Sequence, residues 1–235
     1  RDQKHGPFMG QVTNSKKLKL AVLISGGGSN LQAILDACNA PDYPAEVVLV
    51  FSNQLDAGGL DRGRRAGIRA EAISHKRYEG GREAYDAAVS ALIEESGADL
   101  VVLAGYLRLV SDSFVTRWKD RLINIHPSLL PSFKGLGVHQ AALDAGVKFA
   151  GCTVHYVVPE VDSGPIIAQA VVPVLPGDDA GKLAQRILKQ EHKIYPQVIR
   201  WIADGRVSVD AKGIVTVADA KTLEMADINP VLEPG

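Results

Sequence analysis

The sequence predicts an α/β protein with a doubly wound, mostly parallel sheet and a mixed C-terminal part. Three observations carry that expectation. Short, β-branched apolar runs recur along the first half, amphipathic helical stripes separate them, and two closely spaced strand-like segments follow residue 150. Leu20 to Ile24 is the first such run, of the kind found in strands buried on both faces. Ser25-Gly26-Gly27-Gly28-Ser29-Asn30 follows as a loop. Leu31, Ile34, Leu35 and Cys38 then fall at i, i+3, i+4 and i+7, one face of a helix.

The alternation continues. Val47 to Phe51 reads as a strand and Asp56 to Ala66 as a weak helix diluted by Gly58, Gly59 and Gly63. Ile68 to Ile73 is a short strand. Tyr85, Ala88, Val89, Leu92 and Ile93 form a helical stripe that stops at Gly97. Asp99 to Ala104 is another buried strand, and Ser111 is placed to cap a helix carrying Phe114, Val115 and Trp118. Leu122 to His126 is a strand that runs into a proline-rich loop. Past Ala150, Cys152 to Val158 and Ile166 to Val174 flank a turn containing Asp162-Ser163-Gly164-Pro165, which suggests close pairing. A long helix from Gly181 to Ala203 follows, then a short terminal hairpin and a loose end. Residues 1–17 are polar and aperiodic and are set apart as a disordered or expression-derived tail, which leaves 18–235 as one expected domain.

Composition narrows the functional class. The chain has 235 residues, 46% hydrophobic, and its 26 Lys and Arg nearly balance 27 Asp and Glu, for a net charge of −1. That balance argues against a general nucleic-acid binder. No uncharged run approaches the roughly 20 residues of a membrane span. The N-terminus lacks the apolar core of a secretory signal, so the expected location is cytoplasmic. Cys38 and Cys152 have no CxxC spacing and read as buried thiols in a reducing compartment. His139, His155 and His192 stand in no HxxxH or HExxH relation, so no metal site is expected. His155 lies in an alternating strand and reads as a satisfied sheet residue.

Some segments could carry chemistry. Ser25 to Asn30 joins a strand, a glycine-rich turn and a helix start, which places free backbone N–H groups and a helix dipole at one point. The motif is neither GxGxxG nor GxxxxGK[ST]. It is either a phosphate site or a tight βα turn that binds nothing, and spacing alone does not choose. Asn124-Ile125-His126-Pro127-Ser128 sits at the carboxyl end of an expected central strand, where open α/β sheets gather ligands. Alternation sends Asn124 and His126 to the same side, about 6–7 Å apart. Asn can donate an N–H to a developing oxyanion and His can exchange a proton near neutral pH; a structural strand-end histidine is the competing reading. Asp162 belongs to ordinary turn chemistry unless it reaches His126, whose tautomer it would then fix. Glu191 shares a charged helical turn with Lys189 and His192, and could meet a cationic ligand.

Together, Leu23-Ile24-Ser25-Gly26-Gly27-Gly28-Ser29-Asn30-Leu31-Gln32, Asn124-Ile125-His126-Pro127-Ser128-Leu129-Leu130-Pro131, Gly151 to Val157 and Val161-Asp162-Ser163-Gly164-Pro165 resemble the folate-dependent formyltransferases. Within them the likeness is to the phosphoribosylglycinamide formyltransferases, and it runs from Leu18 to Gly205. The resemblance implies a Rossmann-like formyltransferase fold and a one-carbon transferase of purine biosynthesis. It implies that 10-formyltetrahydrofolate is the formyl donor, that glycinamide ribonucleotide is the acceptor, and that no metal is used. Asn124, His126 and Asp162 match the family's catalytic trio. Gly28, Ser29 and Asn30 match its phosphate loop, and Glu191 a carboxylate on the same substrate. Arg82, Leu107, Arg108, Leu109, Val110 and Asn124 match the folate pocket, and Val158, Pro159, Glu160 and Val161, with Asp162, the segment that closes over the pterin.

The implied chemistry is attack of the ribonucleotide amine on the formyl carbon. Asn124 and protonated His126 stabilise the tetrahedral oxyanion, and Asp162 orients and charges His126. The implied partners are small molecules alone, with neither nucleic acid nor membrane, and the implied assembly is a monomer or homodimer. Gly27 stands where relatives often carry Asn, Lys134 where they carry Pro, and Pro159 where an acid is common. Two relatives share the trio: formyltetrahydrofolate deformylase, which usually adds an N-terminal regulatory domain, and methionyl-tRNA formyltransferase, which adds a C-terminal one. Neither extension is expected from the short segments outside Leu18 to Gly205. A non-enzymatic nucleotide-binding domain would explain the βα pattern but not Asn124, His126 and Asp162.

Overall fold

A computed structural model describes residues 16–224 and 227–231, so all but two residues of the tail set apart above lie outside it. The first half is a run of βα units: β1 (Leu18–Ile24), α1 (Ser29–Cys38), β2 (Ala45–Ser52), α2 (Gly59–Arg65), β3 (Arg69–Ala72), α3 (Gly81–Glu95), β4 (Leu100–Leu103), α4 (Asp112–Arg117) and β5 (Leu122–His126). The chain goes on through α5 (Val138–Asp144), β6 (Phe149–Tyr156), β7 (Ile166–Pro173) and α6 (Ala180–Ala203) to a hairpin of β8 (Val207–Val209) and β9 (Val215–Val217). One seven-stranded sheet has the order β3-β2-β1-β4-β5-β6-β7. Strands β1 to β5 pair in parallel; β6 and β7 join antiparallel at one edge. The mixed C-terminal part is therefore a continuation of the same sheet.

Alternation along β1 divides the core. Leu20, Val22 and Ile24 face α1 and the Tyr195, Val198 and Ile199 stripe of α6. Ala21 and Leu23 face Tyr85, Val89 and Ile93 of α3, Phe114 of α4 and Trp118 at its C-terminal end. Ser111 caps α4, its hydroxyl accepting from the Phe114 N–H. Both cysteines are free, Cys152 buried and Cys38 partly so; burial pushes the Cys38 thiol up to about 11. Two elements depart from the sequence pattern. The weak helix expected over Asp56 to Ala66 is confined to α2, because the chain before Gly59 is bent into a turn closed by the Ala57 N–H on Gln54 O at 3.4 Å. Helix α5 falls in what reads as a proline-rich loop, since a short helix that buries only Val138 and Ala142 leaves no periodic signature. From β1 the chain winds outward to β2 and β3, then crosses back to β4 and β5. The carboxyl ends of β1 and β4 therefore flank a topological switch point, where a crevice opens.

Candidate active site

The turn leaving β1 enters this crevice. Gly28 has φ 72°, and a Cβ there would lie 2.9 Å from the Gly59 Cα, so only glycine fits without displacing α2. Helix α1 then begins at Ser29 with no side-chain cap, which leaves its first N–H groups without intrahelical partners at the positive end of the dipole. Asn30 is buried; its amide donates to Glu191 Oε2 at 3.3 Å, while its own Oδ1 has no protein partner. Burial pushes the Glu191 carboxyl up, opposed by that bond from Asn30. Gly28, Ser29, Asn30 and Glu191 are thus gathered at one place by three elements.

On the other side of the sheet's end, β5 delivers Asn124 and His126 to the same face. The Phe133 carbonyl lies 2.8 Å from His126 Nε2, and a carbonyl can only accept, so Nε2 carries a proton. That leaves Nδ1 facing Asp162 Oδ2 at 3.6 Å. Asp162 is held by the Gly135 N–H at 2.8 Å and sits at φ 50°, an uncommon conformation for a non-glycine residue that its neighbours must enforce. His155 completes the cluster. Antiparallel pairing sets it opposite Asn124, and it is only 2% exposed. Its Nδ1 donates to the Tyr156 carbonyl at 2.8 Å, and burial holds its pKa below the ordinary histidine value. Neutral His155 then presents a bare Nε2 to the Asn124 Nδ2 at 3.4 Å. One amide N–H is engaged there and the other is left for the cleft. His155 is the satisfied sheet residue its strand pattern suggests, and it also lines the cleft, a place set by the β5–β6 register.

The segment after β4 forms the opposite wall. Leu107 and Leu109 are exposed apolar side chains there. Arg108 is pinned, its guanidinium 4.4 Å above the Tyr85 ring and 3.4 Å from Asp86, which is 2% exposed and also accepts from the Ser111 N–H at 2.6 Å. Asp86 is a second residue whose part the sequence does not reveal, because a helical Asp beside Tyr85 reads as surface. Val158, Pro159, Glu160 and Val161 face this wall from the loop after β6. Lys134 ties that loop to the one after β5, donating to Ser163 Oγ at 2.6 Å and lying 3.7 Å from Glu160. One cleft of about 810 Å³ runs from Gly28, Ser29, Asn30 and Glu191 to Asn124, His126, His155 and Asp162 and on to Leu107–Val110 and Val158–Val161. Arg82 does not line it. It is exposed on the first turn of α3, whose inward residues are Tyr85 and Val89. Among the described residues no cluster of three or more His, Cys, Asp and Glu is disposed to hold a metal, and no helix is long and apolar enough to cross a membrane.

An open α/β sheet with an anion-ready turn and a His–Asp–Asn cluster in one switch-point cleft defines a small-molecule enzyme of the doubly wound class. The profile of the family described as formyl transferase matches residues 18–199. The chain belongs to that family. It is 47% identical over 192 residues to a phosphoribosylglycinamide formyltransferase of Escherichia coli, covering 82% of this chain and 90% of that one. It is also 47% identical over 198 residues to the trifunctional purine biosynthetic protein adenosine-3 of Bos taurus; the match takes in 84% of this chain but spans only 20% of that relative. A crystal structure of glycinamide ribonucleotide transformylase 1 from Symbiobacterium toebii superposes with a TM-score of 0.84 at 49% identity, covering 86% of this chain and 95% of the other.

Proposed function

We propose that the chain transfers the formyl group of 10-formyltetrahydrofolate to the amine of 5'-phosphoribosylglycinamide. The observation that carries this reading is that one cleft holds both an anion-ready turn and the Asn124–His126–Asp162 cluster. The ribonucleotide phosphate docks on the N–H groups of Gly28, Ser29 and Asn30, while Glu191 and the free Asn30 Oδ1 accept hydrogen bonds from the same substrate. The folate enters between Leu107–Val110 and the loop Val158–Asp162, and presents its formyl group to Asn124 and His126.

The amine attacks the formyl carbon, the C=O π pair moves to oxygen, and a tetrahedral oxyanion forms. The Asn124 N–H not taken by His155 and the Nδ1–H of the His126 imidazolium, which at 3.6 Å from Asp162 is not held in a hydrogen bond, stabilise it, an effect worth about 3–4 kcal/mol per well-placed donor. Asp162, with Oδ2 3.6 Å from Nδ1, orients His126 and fixes which ring nitrogen faces the cleft. Collapse breaks the bond to the folate nitrogen, which takes a proton from His126. Asp162, through water, receives the proton lost by the attacking amine. The test is consumption of 10-formyltetrahydrofolate with and without the ribonucleotide. Transfer that requires the ribonucleotide, giving one formylated amine per donor consumed, is the expected result. Equal consumption in its absence assigns the chain to hydrolysis of the donor.

A further inference from the structure

The phosphate turn has its carbonyls occupied from outside the cleft. Gly26 O accepts from the Gly59 N–H at 2.9 Å, Gly28 O from the Gln32 N–H at 2.9 Å, and Gly27 O from Arg62 Nε at 2.6 Å. None of these donors lines the cleft. A trans peptide is planar, with C=O and the following N–H pointing in opposite directions. Fixing the Gly27 carbonyl outward therefore aims the Gly28 N–H inward. The flanking peptides are held by backbone donors, but the Gly27–Gly28 peptide is held by a side chain. It also lies between two glycines, the residues that least resist a flip. Arg62 is itself seated, since its Nη1 donates to Gln32 Oε1 at 3.2 Å and Gln32 in turn donates to Asp36 at 2.8 Å.

We infer that Arg62 is a positioning residue for the phosphate site: its two-point grip on Gly27 and Gln32 locks the Gly27–Gly28 peptide with its N–H turned toward the anion. The inference rests on the phosphate role proposed above for Gly28, Ser29 and Asn30. Calorimetry of wild type, Arg62→Met and Arg62→Lys measures Kd for the ribonucleotide, for its dephosphorylated analogue and for an unreactive folate. Arg62→Met is expected to weaken the ribonucleotide about 10-fold, the scale of one hydrogen bond to a charged group. Neither the dephosphorylated analogue nor the folate should change. Arg62→Lys should be weakened as well, because an ammonium keeps the charge but lacks the planar fork that reaches both oxygens.

Wild-type affinity in Arg62→Met overturns the inference. So does full recovery in Arg62→Lys, which would make charge alone sufficient, or an equal loss of folate binding, which would make the role general to the fold. A wild-type chain that binds no ribonucleotide overturns the functional reading itself and is told apart by that control.

Discussion

At the scale of single residues, the proposed roles separate by substrate and by step. His126→Ala removes a donor that acts on charge formed in the transition state, so kcat should fall by about 10²–10³ while both substrates still bind. Saturation kinetics with circular dichroism as a folding control checks this, and a variant within a few-fold of wild type would remove His126 from the chemistry. Ser29→Pro acts elsewhere. Ser29 is the first residue of α1, so its N–H has no intrahelical partner, and proline there deletes that N–H and disturbs the left-handed turn at Gly28. Ribonucleotide affinity should drop with folate affinity unchanged, and the reverse pattern by calorimetry would exchange the two half-sites. Asn124 and His126 could be paired from the sequence because their spacing alone sets them on one face of a strand. His155 and Arg62 could not: each acquires its place from a strand register or helix packing that links distant segments.

At the scale of elements, legibility follows burial. Strands β1, β2, β4 and β5 and helix α3 announce themselves because they bury continuous runs or clean stripes. The pairing of β6 with β7 was signalled by the two strand-like runs on either side of Asp162-Ser163-Gly164-Pro165. Helix α5 buries too little to leave a pattern. The connection from β7 into α6 is held by another device invisible to periodicity. Arg186 grips Asp178 with bonds of 2.6 and 2.8 Å, and Asp178 also accepts from the Leu175 N–H. The Arg186 guanidinium holds the Asp178 carboxyl down at about 2. A carboxyl depressed on folding contributes stability that is complete above its unfolded value and lost as pH falls through its folded one. Asp178→Asn should therefore lower the melting temperature at pH 5–7, and the gap from wild type should close between about pH 4 and pH 2. A gap that persists at pH 2 would assign the effect to packing.

At the scale of the whole molecule, the doubly wound sheet brings the glycine-rich turn at Gly28–Asn30 and the Asn124–His126–Asp162 cluster into one cleft. Each half taken alone has a plain structural reading: a tight βα turn, or a histidine at a strand end. Function is legible in their juxtaposition, and the sheet order creates it by setting β1 and β5 on either side of β4. The central claim is that an amine anchored through a phosphate at Gly28–Asn30 reaches a formyl group held against Asn124 and His126. The most direct measurement is a crystal structure with the ribonucleotide and an unreactive folate analogue bound together. The account predicts the phosphate on the N–H groups of Gly28, Ser29 and Asn30, with the amine within about 3–3.5 Å of the formyl position, and Asn124 and His126 on its oxygen. A phosphate bound elsewhere, or an amine directed away from His126 and Asp162, would contradict it.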